Sequence, residues 1–155
     1  MISRVLSGLV FGGLVASVAL LVAAEDPDDA IRKDRTLLVG TWRIVALEVN
    51  GNPASTEDAR KLTVVNLDDT WSLRSEGKEV SRGINVIDPS KSPKSIDIIV
   101  IEDGKKGDAH PGIYEISQNS RKLCFAPPGM PRPTEFKSPP ESQRILVTFE
   151  REAPK

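Results

Sequence analysis

Between Thr41 and Arg151 the chain is divided into eight short β-type runs, separated by clusters of Gly, Asn, Asp, Ser and Pro. They cover Thr41 to Val49, Leu62 to Leu67, Thr70 to Ser75, Glu79 to Ile87, Ser95 to Ile101, Gly112 to Ile116, Arg121 to Ala126 and Arg144 to Arg151. Short strands punctuated in this way predict an all-β sandwich or barrel. Asp68-Asp69 is too short a connection to be anything but a hairpin turn, and Glu76-Gly77-Lys78 and Ser117-Gln118-Asn119-Ser120 turn the chain in the same manner. Sequential strands joined this tightly run antiparallel. Eight of them closing on themselves give an up-and-down barrel with no free edge. A two-sheet sandwich is the alternative, and the scarcity of long connections argues against it.

Three segments fall outside the strand pattern. Pro27 to Leu38 reads as a short charged helix, with Asp26 as its N-cap, Pro27 at the first helical position and Gly40 ending it. Ser55-Thr56-Glu57-Asp58 has the spacing of a capping box and predicts a single helical turn. Between Ala126 and Ser142 lie six of the 12 prolines. Proline fixes φ and cannot donate to a sheet, so this stretch is a stiff loop, with room for a short extended piece at Thr134 to Lys137. Within it Arg132 and Glu135 flank Pro133-Thr134 and are placed to pair with each other as an internal brace, or to face a partner.

The N-terminus carries an address. Arg4 precedes an apolar run from Val5 to Val22, which ends in Ala23-Ala24 before the acidic Glu25-Asp26. This predicts a secretory signal peptide over residues 1–24, cleaved after Ala24, and one exported domain over residues 25–155. An uncleaved N-terminal tether is the alternative reading of the same stretch. No basic excess exists, with 21 Lys and Arg against 22 Asp and Glu, so nucleic acid is not an expected partner. Cys124 is the single cysteine, so the domain has no internal disulfide and must be held by packing.

Gly40-Thr41-Trp42 at the head of the first strand, after a short helix, resembles the G-x-W signature of the lipocalin and fatty-acid-binding-protein superfamily. More narrowly, the chain resembles small exported lipocalin-like domains of unknown function that are abundant in planctomycete bacteria. That resemblance runs through Val39-Gly40-Thr41-Trp42, Asp88 to Asp97, Gly112-Ile113-Tyr114-Glu115, Leu123-Cys124, Pro131 to Phe136 and Arg151-Glu152. It implies a fold and an export route and lends no activity. The superfamily further implies that an Arg late in the last strand, here Arg151, stacks over Trp42 and closes the narrow end.

Catalytic chemistry has little to stand on. The chain holds one His and one Cys, and no Gly-x-Ser-x-Gly, phosphate-binding glycine loop or His-Glu-x-x-His helix. His110, with Asp103 and Asp108 near it in sequence, reads as a solvated loop residue rather than a metal ligand. No cofactor is expected. Trp71 and Tyr114 are candidates for core packing or a pocket wall. Cys124 reads as a small buried hydrophobe, or as a thiol at a cavity wall. Arg74 and Arg82 stand among apolar neighbours; solvated outward positions are the default, whereas inward ones would serve as counter-ions for a carboxylate ligand, as the resemblance to fatty-acid binders suggests.

The leading expectation is therefore a non-catalytic exported barrel that binds a small, partly apolar or carboxylate-bearing molecule, with no membrane association after signal cleavage. The alternative is an interaction or structural module whose barrel is filled by its own side chains, and a third, remote option is an enzyme working through carboxylates alone, which leave no spacing signature. Eight strands permit both.

Overall fold

The computed structural model describes residues 17–154. Residues 1–16, with most of the apolar leader, lie outside them, and Ser17 to Asp26 carry no helix or strand. Among the described residues no helix is long and apolar enough to cross a membrane.

Helix α1 (Pro27–Leu38) begins as its sequence dictates. The Asp26 carboxylate accepts the Asp28 N–H at 2.9 Å, Pro27 occupies the first turn, and Asp28 and Asp29 lie at the positive end of the helix dipole. The chain then turns through Val39 into Gly40, whose φ of +126° is one that a side chain disfavours. Gly40 is needed for a second reason: a Cβ there would sit 2.7 Å from Arg151 Nη1.

Strands β1 (Gly40–Val49), β2 (Asn52–Pro53), β3 (Leu62–Leu67), β4 (Thr70–Ser75), β5 (Lys78–Asp88), β6 (Lys94–Glu102), β7 (Lys105–Ile116), β8 (Ser120–Phe125) and β9 (Ile145–Arg151) follow, with α2 (Thr56–Arg60) between β2 and β3. All pairings among them are antiparallel. From β3 to β9 each strand pairs with the next, and β1 pairs with both β3 and β9. The result is a closed eight-strand up-and-down barrel, with β2 a two-residue addition to the outer end of β1. Trp42 lies opposite Val64 of β3 on one side and Arg151 of β9 on the other, so it sits at the closing seam.

Two local expectations change. The sixth barrel strand does not start near Gly112: β7 begins at Lys105, paired with Glu102 across a tight Asp103-Gly104 turn. Residues Lys105 to Ala109 are exposed, so no burial imposes an apolar pattern on this part of the strand. His110 is accordingly a strand residue and not a loop residue. The proline-rich stretch contains no extended piece at Thr134 to Lys137; it is a series of bends lying against the outside of β6, β7 and β8.

That stretch is fastened as a strap. Arg132 donates to the carbonyls of Ile96 and Gly112, at 2.9 and 2.8 Å, and pairs with Asp97 at 2.7 Å. It does not pair with Glu135, which is exposed and lies 3.5 Å from Lys137. The brace therefore ties loop to barrel rather than loop to loop. Pro133 of the strap and Ile113 and Cys124 beneath it are buried, and the Cys124 thiol donates to the Lys137 carbonyl at 3.3 Å.

One end of the barrel is sealed by α1. Trp42 is fully buried and donates from its indole N–H to the Leu38 carbonyl at 2.9 Å. Asp34, buried on the helix, accepts from Tyr114 Oη and Lys94 Nζ, each at 2.8 Å. Arg35 donates to Asn85 Oδ1 and to the Asn85 carbonyl. Trp42, Ile44, Tyr114 and Phe149 form the core above this floor, and burial of each large side chain contributes about 1.5–3 kcal/mol.

Candidate functional site

Side chains alternate across a strand, so every second residue of each barrel strand faces inward. On β3 these are Leu62, Val64 and Asn66; on β8, Arg121, Leu123 and Phe125; on β9, Ile145, Val147 and Phe149. They do not fill the barrel. Together with residues of the remaining strands they enclose a cavity of about 310 Å³, at the small end of the range for ligand pockets. On β3 and β8 the lining positions span about 13 Å at ~3.3 Å per residue.

The lining is polarised along the barrel axis. At the end away from α1 it is formed by Val49, Leu62, Val100 and Ile145, and Val49 is 42% exposed there, so the cavity reaches the surface at that rim. At the α1 end stand Asn66, Asn85 and Arg121. His110 is the other polar residue of the wall, with its ring edge-on to Phe125 at 6.1 Å between centroids. Among the described residues no carboxylate lines the cavity.

Arg121 is the unusual member. It is 4% exposed, although arginine is among the residues least often buried without a charged partner. Its Nη1 donates to Asn66 Oδ1 at 2.7 Å, and its guanidinium lies 4.0 Å from the Phe149 ring and 5.0 Å from the Trp42 ring. Its Nε–H has no hydrogen-bond partner among the described residues, and no acidic side chain pairs with it there. Burial, with a smaller contribution from the Arg151 charge, pushes its pKa down to about 9. At neutral pH it is still a cation, buried and lacking a counter-ion among the described residues. Such a group attracts an anion strongly, because the desolvation has already occurred and the low local dielectric magnifies the pairing.

The structure distributes the remaining candidates as follows. Trp71 lines the cavity; its indole N–H donates to the Ile84 carbonyl at 3.0 Å, and its ring lies over Gly83, the residue opposite it on β5. Tyr114 points inward but is buried in the floor beside Asp34 and does not line the cavity. Burial, reinforced by the hydrogen bond to Asp34 and its charge, raises the Tyr114 phenol far above its ordinary range. Arg74 and Arg82 are exposed on the outside of the barrel and stay away from the cavity, because each occupies the outward phase of its strand. Cys124 is likewise outward: its neighbours Leu123 and Phe125 face the cavity, and its thiol is raised by burial under the strap. It is not a cavity-wall thiol. Arg132 and Glu135 belong to the strap. Arg151 lies 4.3 Å over the Trp42 ring and donates to the carbonyls of Gln118, Val39 and Leu37, which fixes the seam, the helix exit and the Trp42 indole together.

Arg121, Asn66 and Asn85 were missed as site residues by sequence reasoning. The phase of Leu123 and Phe125 places Arg121 inward, and that was the available signal. Among the described residues no group of three or more His, Cys, Asp or Glu is arranged to hold a metal ion. Comparison with protein-family models, with curated proteins and with solved structures found no match to this chain.

Proposed function

We propose that the protein is an exported, lipocalin-like binding protein without catalytic activity, and that it carries a small, largely apolar molecule with an acidic group in its barrel. The observation that carries this reading is Arg121, a buried cation without a counter-ion at the closed end of an apolar cavity. An occupant with an acidic head and an apolar body complements both parts of that cavity. A structural module with a solid core is disfavoured by the cavity itself. Kinship with lipocalin-like domains is supported by Gly40-Thr41-Trp42 at the head of β1 and by the stacking of Arg151 on Trp42 in an eight-strand barrel. Export rests on the leader-like N-terminal residues.

Native mass spectrometry of the protein purified from its own host tests the reading. The expected result is an adduct of an acidic, mainly apolar compound that is absent from the Arg121→Met variant. Protein that carries no adduct, and that fails to bind a neutral apolar fluorophore such as N-phenyl-1-naphthylamine, would overturn it.

A further inference from the structure

The outer face of β4, β5 and β6 differs from the outside of a fully solvated barrel. A strand with one wet face alternates apolar and polar residues, yet Ile98-Ile99-Val100-Ile101 is apolar in both phases. Ile98 and Val100 line the cavity, so Ile99 and Ile101 lie outside. The register extends the anomaly sideways. Ile99 stands opposite Ile84 of β5, Ile84 opposite Thr70 of β4, and Thr70 opposite Leu67 of β3. Leu67 is 69% exposed, and Val86, the next outward residue of β5, is 54% exposed. Water gains nothing from such a row, whereas a second surface would.

The charges around this face are sorted by end. Towards the barrel mouth stand Arg74 and Arg82, which share an outer hollow with Leu67 and Ile101. Among the described residues neither has an acidic partner. The carboxylate beside them, Glu79, accepts from Ser72 Oγ at 2.7 Å instead, and Glu76 and Lys78 in the turn beyond balance each other. At the other end, in the β3–β4 turn, Asp68 and Asp69 are exposed and have no basic partner among the described residues. The two ends complement each other but cannot meet within one molecule, since strand spacing holds Asp69 and Arg82 about 12 Å apart on one sheet.

We propose that this face docks a second copy of the chain in a two-fold dimer. A two-fold contact requires a self-complementary surface, because residue i meets j and j meets i. With strands ~4.8 Å apart and ~3.3 Å per residue, a two-fold axis lying in the face, diagonal to the strands, sets Ile84 on its own counterpart, Ile99 on Val86 and Asp69 on Arg82. The two sheets then cross near a right angle, one of the two ways in which sheets pack. An unrelated acidic partner would satisfy the arginines and leave Asp68 and Asp69 unmatched; a second copy satisfies both ends twice. The outside of a barrel is convex, so the contact is small, below about 1,200 Å² in total, and belongs with reversible rather than obligate interfaces.

Sedimentation velocity of the protein purified from its own host, at low ionic strength, tests the proposal. A monomer–dimer equilibrium with a Kd of about 1–100 μM is expected. Arg82→Glu sets like charges together and should raise that Kd about tenfold or more, as should Asp69→Lys. Val86→Lys, at a position exposed in the monomer, should have the same effect with an unchanged circular dichroism spectrum. Because the contact is two-fold, the R82E and D69K variants mixed in equal amounts should form a heterodimer within about threefold of the parent Kd, and the double variant should dimerise equally well. A protein that stays monomeric at about 500 μM would overturn the proposal. So would a dimer that Arg82→Glu and Val86→Lys leave unchanged, mixed variants that remain apart, or a monomer that uses Arg82 to bind a different acidic polypeptide.

Discussion

Arg121→Met separates a residue kept for a ligand from one kept for the fold. Burial lowers the guanidinium from its ordinary range to about 9, so the charged form is penalised by about 5 kcal/mol in the empty barrel. Stacking on Phe149 at 4.0 Å and on Trp42 at 5.0 Å offsets that, by at most about 2 kcal/mol at each ring. The bond to Asn66 offsets about 1 kcal/mol more. The contributions nearly cancel. Methionine keeps an unbranched apolar stem in the same space and removes the charge, so the variant should unfold within about 1–2 kcal/mol of the parent. Truncating an ordinary large core side chain costs about 2–5 kcal/mol. Urea unfolding followed by circular dichroism at neutral pH measures the difference, and displacement of N-phenyl-1-naphthylamine by decanoate on the same samples should show a loss of about tenfold or more. A stability loss beyond about 3 kcal/mol would mark Arg121 as a structural residue, and unchanged decanoate affinity would remove it from the site.

Asn66→Asp gives Arg121 the carboxylate it lacks; the expected outcome is a folded protein by circular dichroism that no longer binds decanoate. Decanoate affinity in the parent should fall as pH rises past about 9, because the lowered cation is charged below that value and neutral above it; a titration that stays flat to about pH 10.5 would contradict this. Trp42→Ala should lower stability by about 3–5 kcal/mol, seen by calorimetry as a large drop in Tm, since the fully buried indole fills the closing seam and holds the Leu38 carbonyl. Gly83→Ala would bring its methyl against the Ile99 carbonyl and within 2.7 Å of the Trp71 ring; a cost of about 1–3 kcal/mol and a shifted tryptophan fluorescence spectrum are expected.

The barrel was legible because local chemistry and global closure agree. Asp68, Glu76 and Asp103 adopt φ values of 55, 50 and 50°, and each opens a two-residue turn of the sort that sequence alone suggests at the first two. The third is as strong a turn signal, Asp103-Gly104, but the strand that follows it opens with the exposed residues Lys105 to Ala109, which carry no apolar rhythm. The site was less legible. Arg121 stands between Ser120 and Lys122 and looks like surface, Asn66 lies between Val65 and Leu67, and Asn85 between Ile84 and Val86. In each case the residue's phase, not its immediate neighbours, decides whether it faces the cavity. Arg74 and Arg82 were singled out on their neighbours and lie in the outward phase. No spacing rule reveals that Arg35 reaches Asn85, 50 positions away, because that contact exists only once the helix caps the barrel.

Closure by pairing β1 with β9 also governs how the chain can fold. Trp42 meets Arg151, and Val49 meets Ile145, only after the whole sequence between them is available. Loop-closure entropy must be met before the last ladder returns any stabilisation, which places this chain among slow-folding, non-local topologies. Until then β1 and β9 are two open edges able to pair with another molecule. A chain cut short before Ile145 would retain seven of the barrel strands and none of the closure, and its fate would be association with other copies rather than a smaller barrel.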